Sequence, residues 1–335
     1  MKPRVIKSTL TAFTALFAVQ AFSAQEVTVY TAFENDVLAK YKSAFEKENP
    51  DIQIKWVRDS TGIMTAKLLA EKSNPRADVV WGLAGSSMAL LKKEGILIPY
   101  TPKGGESLRS HLNDPQENTA WYGNDAFFNA ICFNERVAKQ HHLPKPQRWE
   151  DLTNPIYKGH ITMPNPASSG TGYMQVSAWL QTMGEEQAWA YMQRLNTNIA
   201  HYTHSGSKPC VQAGMGEVAI GISMASRGAK LKTQGAPLEV ITPPGIGWES
   251  EAVGLVNLSD SAKKVVDWSL SKAANELYIE MYPIVGHSSV SRLVPNYPNV
   301  EKVMAKMDFT KMGNERERVL QVWSEKFDSK SEPKS

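Results

Sequence analysis

Apolar positions along the first hundred residues switch between two periods. Val27-Thr28-Val29-Tyr30 reads as a short buried strand, and Asn35 to Glu48 sets Leu38, Tyr41 and Phe45 on one helical face. Ile52 to Val57 alternates Ile52, Ile54 and Trp56 as a second strand, followed by a helix over Ile63 to Lys72. Ala77 to Trp81 and Ser86 to Glu94 repeat the strand and the helix. Such β-α-β units predict a parallel sheet with helices on both faces. The passage Pro99 to Gly123, rich in Pro and Gly, interrupts the pattern. A second α/β unit then carries strands at Phe127–Phe133, Gly159–Met163 and Glu217–Ile222, with helices at Thr171–Met183 and Gln187–Leu195. A strand at Glu251–Leu258 and a helix at Ala262–Met281 follow, and the polar end Ser324–Ser335 reads as frayed.

In open parallel sheets ligands sit at the carboxyl ends of strands, where helices begin. Three such loops share one chemistry: Ser60-Thr61-Gly62, Ser168-Ser169-Gly170-Thr171-Gly172, and Ser205-Gly206-Ser207-Lys208 ahead of Pro209. Each offers hydroxyls and first-turn N–H groups at the positive end of a helix dipole, which suits an anion. Any one of them is explained by helix capping, worth about 1 kcal/mol. Together they point to a tetrahedral oxyanion held by Ser60, Thr61, Gly62, Ser168, Ser169, Gly170, Thr171, Ser205 and Ser207, with Ser86 in a fourth loop.

Catalytic signals are thin. No loop matches a phosphate-binding P-loop or a dinucleotide fingerprint. Gly221-Ile222-Ser223-Met224-Ala225 lacks the last glycine of a nucleophile elbow, and His201, His204 and Cys210 lack metal-ligand spacing. No catalytic residue, metal or cofactor is expected. A secreted hydrolase is the alternative from a different class, and it would need a metal cluster or an activated nucleophile.

At 335 residues, 42% hydrophobic and 21% charged, the chain is an ordinary globular one, long enough for two domains. Its net charge of +3 is carried by Lys2, Arg4 and Lys7, since no acidic residue precedes Glu26. Nucleic acid is therefore not an expected partner. Those cations precede an apolar run, Leu10 to Phe22, which ends among Ala21, Ser23 and Ala24. Residues 1–24 read as a cleaved export signal, which places the mature protein in the periplasm as a soluble chain. In that oxidising compartment Cys132 and Cys210 are free to pair, or to remain two buried thiols.

Several segments carry a family resemblance: Val29 to Phe33, Trp149-Glu150-Asp151-Leu152 through Tyr157-Lys158-Gly159, Pro166 to Thr171, Gly216-Glu217-Val218 and Tyr282-Pro283-Ile284. The chain resembles the periplasmic substrate-binding proteins of ABC importers, in the type II branch that includes ferric-ion binders. The resemblance implies an α/β fold of two lobes, each a mixed or parallel sheet flanked by helices, hinged on crossing strands. Lobe I is expected over 25–125 plus 245–285, and lobe II over 126–244 plus 286–335. A monomer that hands its ligand to an inner-membrane permease is implied as well. Where ferric binders carry their iron ligands, this chain has Ala32-Phe33, Leu83-Ala84 and Ser223-Met224, so iron is not the expected ligand.

His204 to Cys210 and Gly247 to Glu251 are most similar to the 2-aminoethylphosphonate subgroup, and a neighbouring subgroup takes sugar phosphates. The expected ligand is thus a small phosphonate or phosphate ester. An enclosed ammonium group needs a carboxylate or an aromatic face. Glu251, Glu34, Trp81, Tyr202 and Trp248 are the candidates.

Overall fold

The computed structural model describes residues 24–333, and the expected export signal, apart from Ala24, lies outside them. The chain opens with β1 (Gln25–Thr31), α1 (Asn35–Glu48), β2 (Ile52–Arg58), α2 (Thr61–Ala70), β3 (Val79–Ala84) and α3 (Gly85–Lys93). Then come β4 (Trp121–Asn134), α4 (Glu135–Gln140), β5 (Ile161–Pro164), α5 (Gly170–Met183), α6 (Glu185–Asn196), β6 (Ile199–Thr203) and α7 (Lys208–Met215). The remainder is β7 (Ile220–Met224), α8 (Ala225–Thr233), β8 (Leu238–Ile241), β9 (Trp248–Leu255), α9 (Asp260–Ser269), α10 (Lys272–Tyr278), β10 (Ile284–Val285) and α11 (Phe309–Phe327).

The mixed α/β architecture is the one expected. Strands run in the order β2-β1-β3-β9-β4-β7-β5-β6, with β8 and β10 also pairing with β4. β1 is parallel to β2 and β3, and β5 is parallel to β6 and β7. β4 links the two parallel groups. Its first part, Trp121 to Phe128, pairs with β9, whereas Asn129 to Asn134 pairs with β7 and β8. The Asn129 N–H donates to the Gly247 carbonyl at 3.0 Å, where the chain crosses back from β8 to β9.

Residues of β3 alternate between the two faces up to Trp81, and the irregularity at Gly82, between Trp81 and Leu83, reverses the parity beyond it. Val79 and Trp81 join the core under α1, α9 and α10, and Val80 and Leu83 join the one under α2 and α3.

Two local expectations are corrected. The helix over Ala262–Met281 is two helices, because Ser271 caps α10 by accepting the Ala274 N–H at 3.2 Å. The C-terminus is docked rather than frayed. Trp323 and Phe327 are buried, and the Glu332 N–H donates to the Tyr202 carbonyl at 2.9 Å. Residues 286–333 also touch both parts of the sheet. The Tyr173 hydroxyl of α5 donates to the Met312 carbonyl at 2.5 Å, while a Cβ on Gly313 would sit 2.9 Å from the Ser86 carbonyl of α3. Of the two states open to the cysteines, the structure has the disulfide: Cys132 on β4 and Cys210 on α7 are joined with 5.3 Å between their Cα atoms.

Candidate functional site

α2 and α5 begin at the carboxyl ends of β2 and β5 and meet end to end across the seam between the two parts of the sheet. The Gly62 N–H donates to the Ser168 carbonyl at 2.8 Å. A Cβ on Gly170 would stand 2.8 Å from Thr61 Oγ1, so glycine is what allows the two helix starts to approach. First-turn amides have no acceptor inside their own helix. Those of Thr61, Gly170 and Thr171 therefore stand at the positive ends of two opposed helix dipoles. Ser169 caps α5, its Oγ accepting the Gly172 N–H at 3.3 Å.

Between the two helix starts lies a cavity of about 30 Å³. Its wall includes Ser60, Thr61, Ser169, Gly170 and Thr171 from the expected anion cradle, and Glu34 and Glu251 from the expected cation partners. It also includes Arg58, Phe127 and Met224, which sequence reasoning did not single out. Arg58 is the last residue of β2. Its Nε donates to the Phe33 carbonyl at 3.0 Å, which holds the guanidinium at the cavity wall. Among the described residues no carboxylate pairs with it, and Glu34 is taken by Arg227, Nη2 to Oε2 at 2.9 Å.

Other expected contacts lie elsewhere. Ser168 Oγ donates to the His204 carbonyl at 3.0 Å, and Ser205 and Ser207 hydroxyls bond each other at 3.1 Å. From that third loop only Gly206 reaches the cavity. Ser86 is buried below it, its N–H donating to Glu249 Oε2 at 2.7 Å. The three aromatic candidates are packed away from the cavity. Trp81 Nε1 donates to the Tyr278 hydroxyl inside an aromatic cluster with Phe33, Trp56 and Trp268. The Tyr202 hydroxyl bonds Asn196 and its ring packs on Trp323. Trp248 stacks on Phe128 and donates to the Ala305 carbonyl. None of the three lines the cavity.

Through Glu251 the cavity wall adjoins further buried acids. Glu251 on β9 stands directly opposite Asp125 on β4, at a bulge where Asn124 is the extra residue. Burial raises the pKa of both carboxyls, and for Asp125 the neighbouring Glu251 raises it further. Glu249, two residues along, is pushed up to about 7 by burial, against the opposing pull of the Ser86 N–H and Arg316.

At the mouth, Arg227 on α8 bridges Glu34 and Asp36, and Lys230 meets Asp36 at 2.6 Å. These ion pairs tie α8, on one part of the sheet, to the start of α1 on the other. The Arg227 pKa is raised because Glu34 and Asp36 outweigh the opposing effect of burial.

Two helix starts facing one cavity are chemically suited to hold an anionic solute. The family of bacterial extracellular solute-binding proteins matches over residues 74–298. This chain belongs to that family. An uncharacterized protein of Haemophilus influenzae is 32% identical over 258 residues, 75% of this chain and 74% of its own. Among solved structures, the periplasmic binding protein AfuA of Actinobacillus pleuropneumoniae, with exogenous fructose-6-phosphate bound, superposes with a TM-score of 0.86 at 28% identity. That match covers 91% of this chain and 99% of AfuA. A putative 2-aminoethylphosphonate-binding periplasmic protein of Salmonella typhi is 22% identical over 283 residues, 80% of each chain.

The solute-binding protein described here is accordingly a periplasmic component of an ABC importer, which binds a small molecule and delivers it to a permease. Its relatives are binding proteins rather than enzymes. No helix among the described residues is long and apolar enough to cross a membrane.

Proposed function

We propose that the cleft captures a small organic phosphonate by its terminal tetrahedral oxyanion, with 2-aminoethylphosphonate the preferred ligand. The observation that carries this reading is the facing of the α2 and α5 N-termini across one cavity, with the unpaired Arg58 guanidinium in its wall. Amides at two helix starts and a planar guanidinium together match the oxygens of a phosphonate. The ammonium end then meets Glu251, the carboxyl in the wall that no cation claims among the described residues. A cavity of only about 30 Å³ favours a compact ligand and requires the two lobes, hinged on β4 and the β8–β9 crossing, to part before it is admitted. The protein works as a monomer in this account.

The likeness to AfuA with fructose-6-phosphate favours a second reading, capture of a sugar phosphate by the same oxyanion cradle. Titration calorimetry separates the two. The proposal expects tight binding of 2-aminoethylphosphonate and weak binding of fructose-6-phosphate; the reverse order establishes the second reading, and binding of neither rejects both.

A further inference from the structure

Asp125 and Glu251 are an unusual pair to find under a ligand cavity. They are direct antiparallel partners on β4 and β9, so their side chains leave the sheet on the same face, with Cβ atoms about 5 Å apart. Asp125 is fully buried and Glu251 is 6% exposed. Both oxygens of Asp125 and Oε2 of Glu251 are buried acceptors for which the described residues supply no donor. Carboxylates without a donor or a counter-ion cannot stay ionised in such a place; with a proton on each, the pair is neutral and one carboxyl can donate to the other.

The surroundings keep the pair neutral. Tyr282 stands beside Glu251, and Tyr41 of α1, Tyr278 of α10, Tyr282 and Tyr297 face the pair as phenols whose pKa burial raises. From the start of α1, the Glu34 carboxylate further disfavours charge on Glu251. The cation on α8, Arg227, is spent on Glu34 and Asp36, and Arg58 lies in the same cavity wall as Glu251. The pair is thus a carboxyl couple without a counter-ion of its own, opening on one side to the ligand.

We infer that Asp125 and Glu251 form a protonated acid pair which gives up one proton when an ammonium group binds, making Asp125 a specificity-determining residue beneath the ligand. This rests on the phosphonate reading above. The exchange balances: the Glu251 proton leaves to solvent, the carboxylate takes the ligand's ammonium, and the proton retained on Asp125 donates to the same carboxylate. A ligand without a cation has nothing to displace that proton.

The test is calorimetry with 2-aminoethylphosphonate in buffers of contrasting ionisation heat, at pH values from about 7 to 8. There the phosphonate is already doubly ionised, its second ionisation lying near pH 6 like that of a phosphoryl group. The inference expects release of close to one proton per molecule bound at pH 7. It also expects a Kd that falls toward the tenfold-per-pH-unit limit for one released proton, about 1.4 kcal/mol per unit. Glu251→Gln, which keeps the shape, should bind with a flat pH profile. Tight binding by the natural protein with no proton release and no pH dependence overturns the inference and leaves the phosphonate reading standing. Failure of 2-aminoethylphosphonate to bind at any pH overturns both. Both wild-type measurements stand even if the variant does not fold.

Discussion

Replacing Gly62 with alanine should hold the cleft open without disturbing the fold. A Cβ at this position would lie 2.0 Å from the Ala167 carbonyl oxygen and 2.7 Å from that of Ser168, both backbone atoms across the seam. Carbon and oxygen tolerate about 3.3 Å at closest. The two helix starts would therefore have to part by more than an ångström, which breaks the 2.8 Å bond from Gly62 to Ser168. Gly62 sits in the first turn of α2, where alanine is favoured over glycine by about 0.5–1 kcal/mol, so folding itself should not suffer. The ligand, by contrast, loses the amides of Gly170 and Thr171. At about 1.5–3 kcal/mol for each hydrogen bond to a charged group, the loss is roughly 3–6 kcal/mol, or two to four orders of magnitude in Kd. Calorimetry with 2-aminoethylphosphonate measures the affinity, and small-angle scattering with and without ligand measures closure. A Gly62→Ala protein that binds as tightly as the natural one and contracts as fully would refute the reasoning.

Other perturbations separate the parts of the account. Arg58→Gln should weaken phosphonate binding by about 1.5–3 kcal/mol while leaving the ligand-free melting temperature nearly unchanged, as titration and thermal scans would report. Glu249 has a folded pKa near 7, raised from 4.5. An acid raised on folding makes stability fall as pH climbs from 4.5 to 7, because the unfolded chain ionises first. Glu249→Gln should flatten that slope in a pH series of denaturant melts. Removing the Cys132–Cys210 bridge, which closes a 78-residue separation, should cost about 4.5 kcal/mol by chain entropy, seen as a lower denaturation midpoint in the double alanine variant. Arg227→Ala severs the mouth contacts to Glu34 and Asp36 and should speed ligand release in stopped-flow experiments, without abolishing binding.

Much of this was legible in the residues, and the misses have physical causes. The stripe Leu38, Tyr41, Phe45 fixes α1, and the rule that ligands gather at strand ends leads to Ser60, Thr61 and Ser169–Thr171, which line the α2–α5 cavity, but also to Gly62 and Ser168, which do not. Arg58, two residues before Ser60, ends β2 and falls under that same rule, but it carries no hydroxyl or glycine signal of its own. Trp81 lies on a strand buried on both faces, which its fully apolar neighbours Val79, Val80 and Leu83 already indicate. α11 went unseen because its buried stripe, Phe309, Met312, Arg316, Val319, Trp323 and Phe327, is interrupted by an arginine. That arginine packs over the Tyr173 ring at 4.5 Å and behaves as a core residue. Asp125 could not be found at all. It sits in a strand start hidden by Gly123 and Asn124, and only the bulged register of β4 against β9 brings it opposite Glu251.

The most direct test of the central claim is a crystal structure of the mature protein with 2-aminoethylphosphonate. The account predicts phosphorus between the amides of Thr61 and Thr171, an oxygen on the Arg58 guanidinium, and the ammonium nitrogen within hydrogen-bond distance of Glu251. Phosphonate bound instead in the groove of about 950 Å³ lined by Trp248, Met304 and Phe309, with the α2–α5 cavity empty, would contradict it.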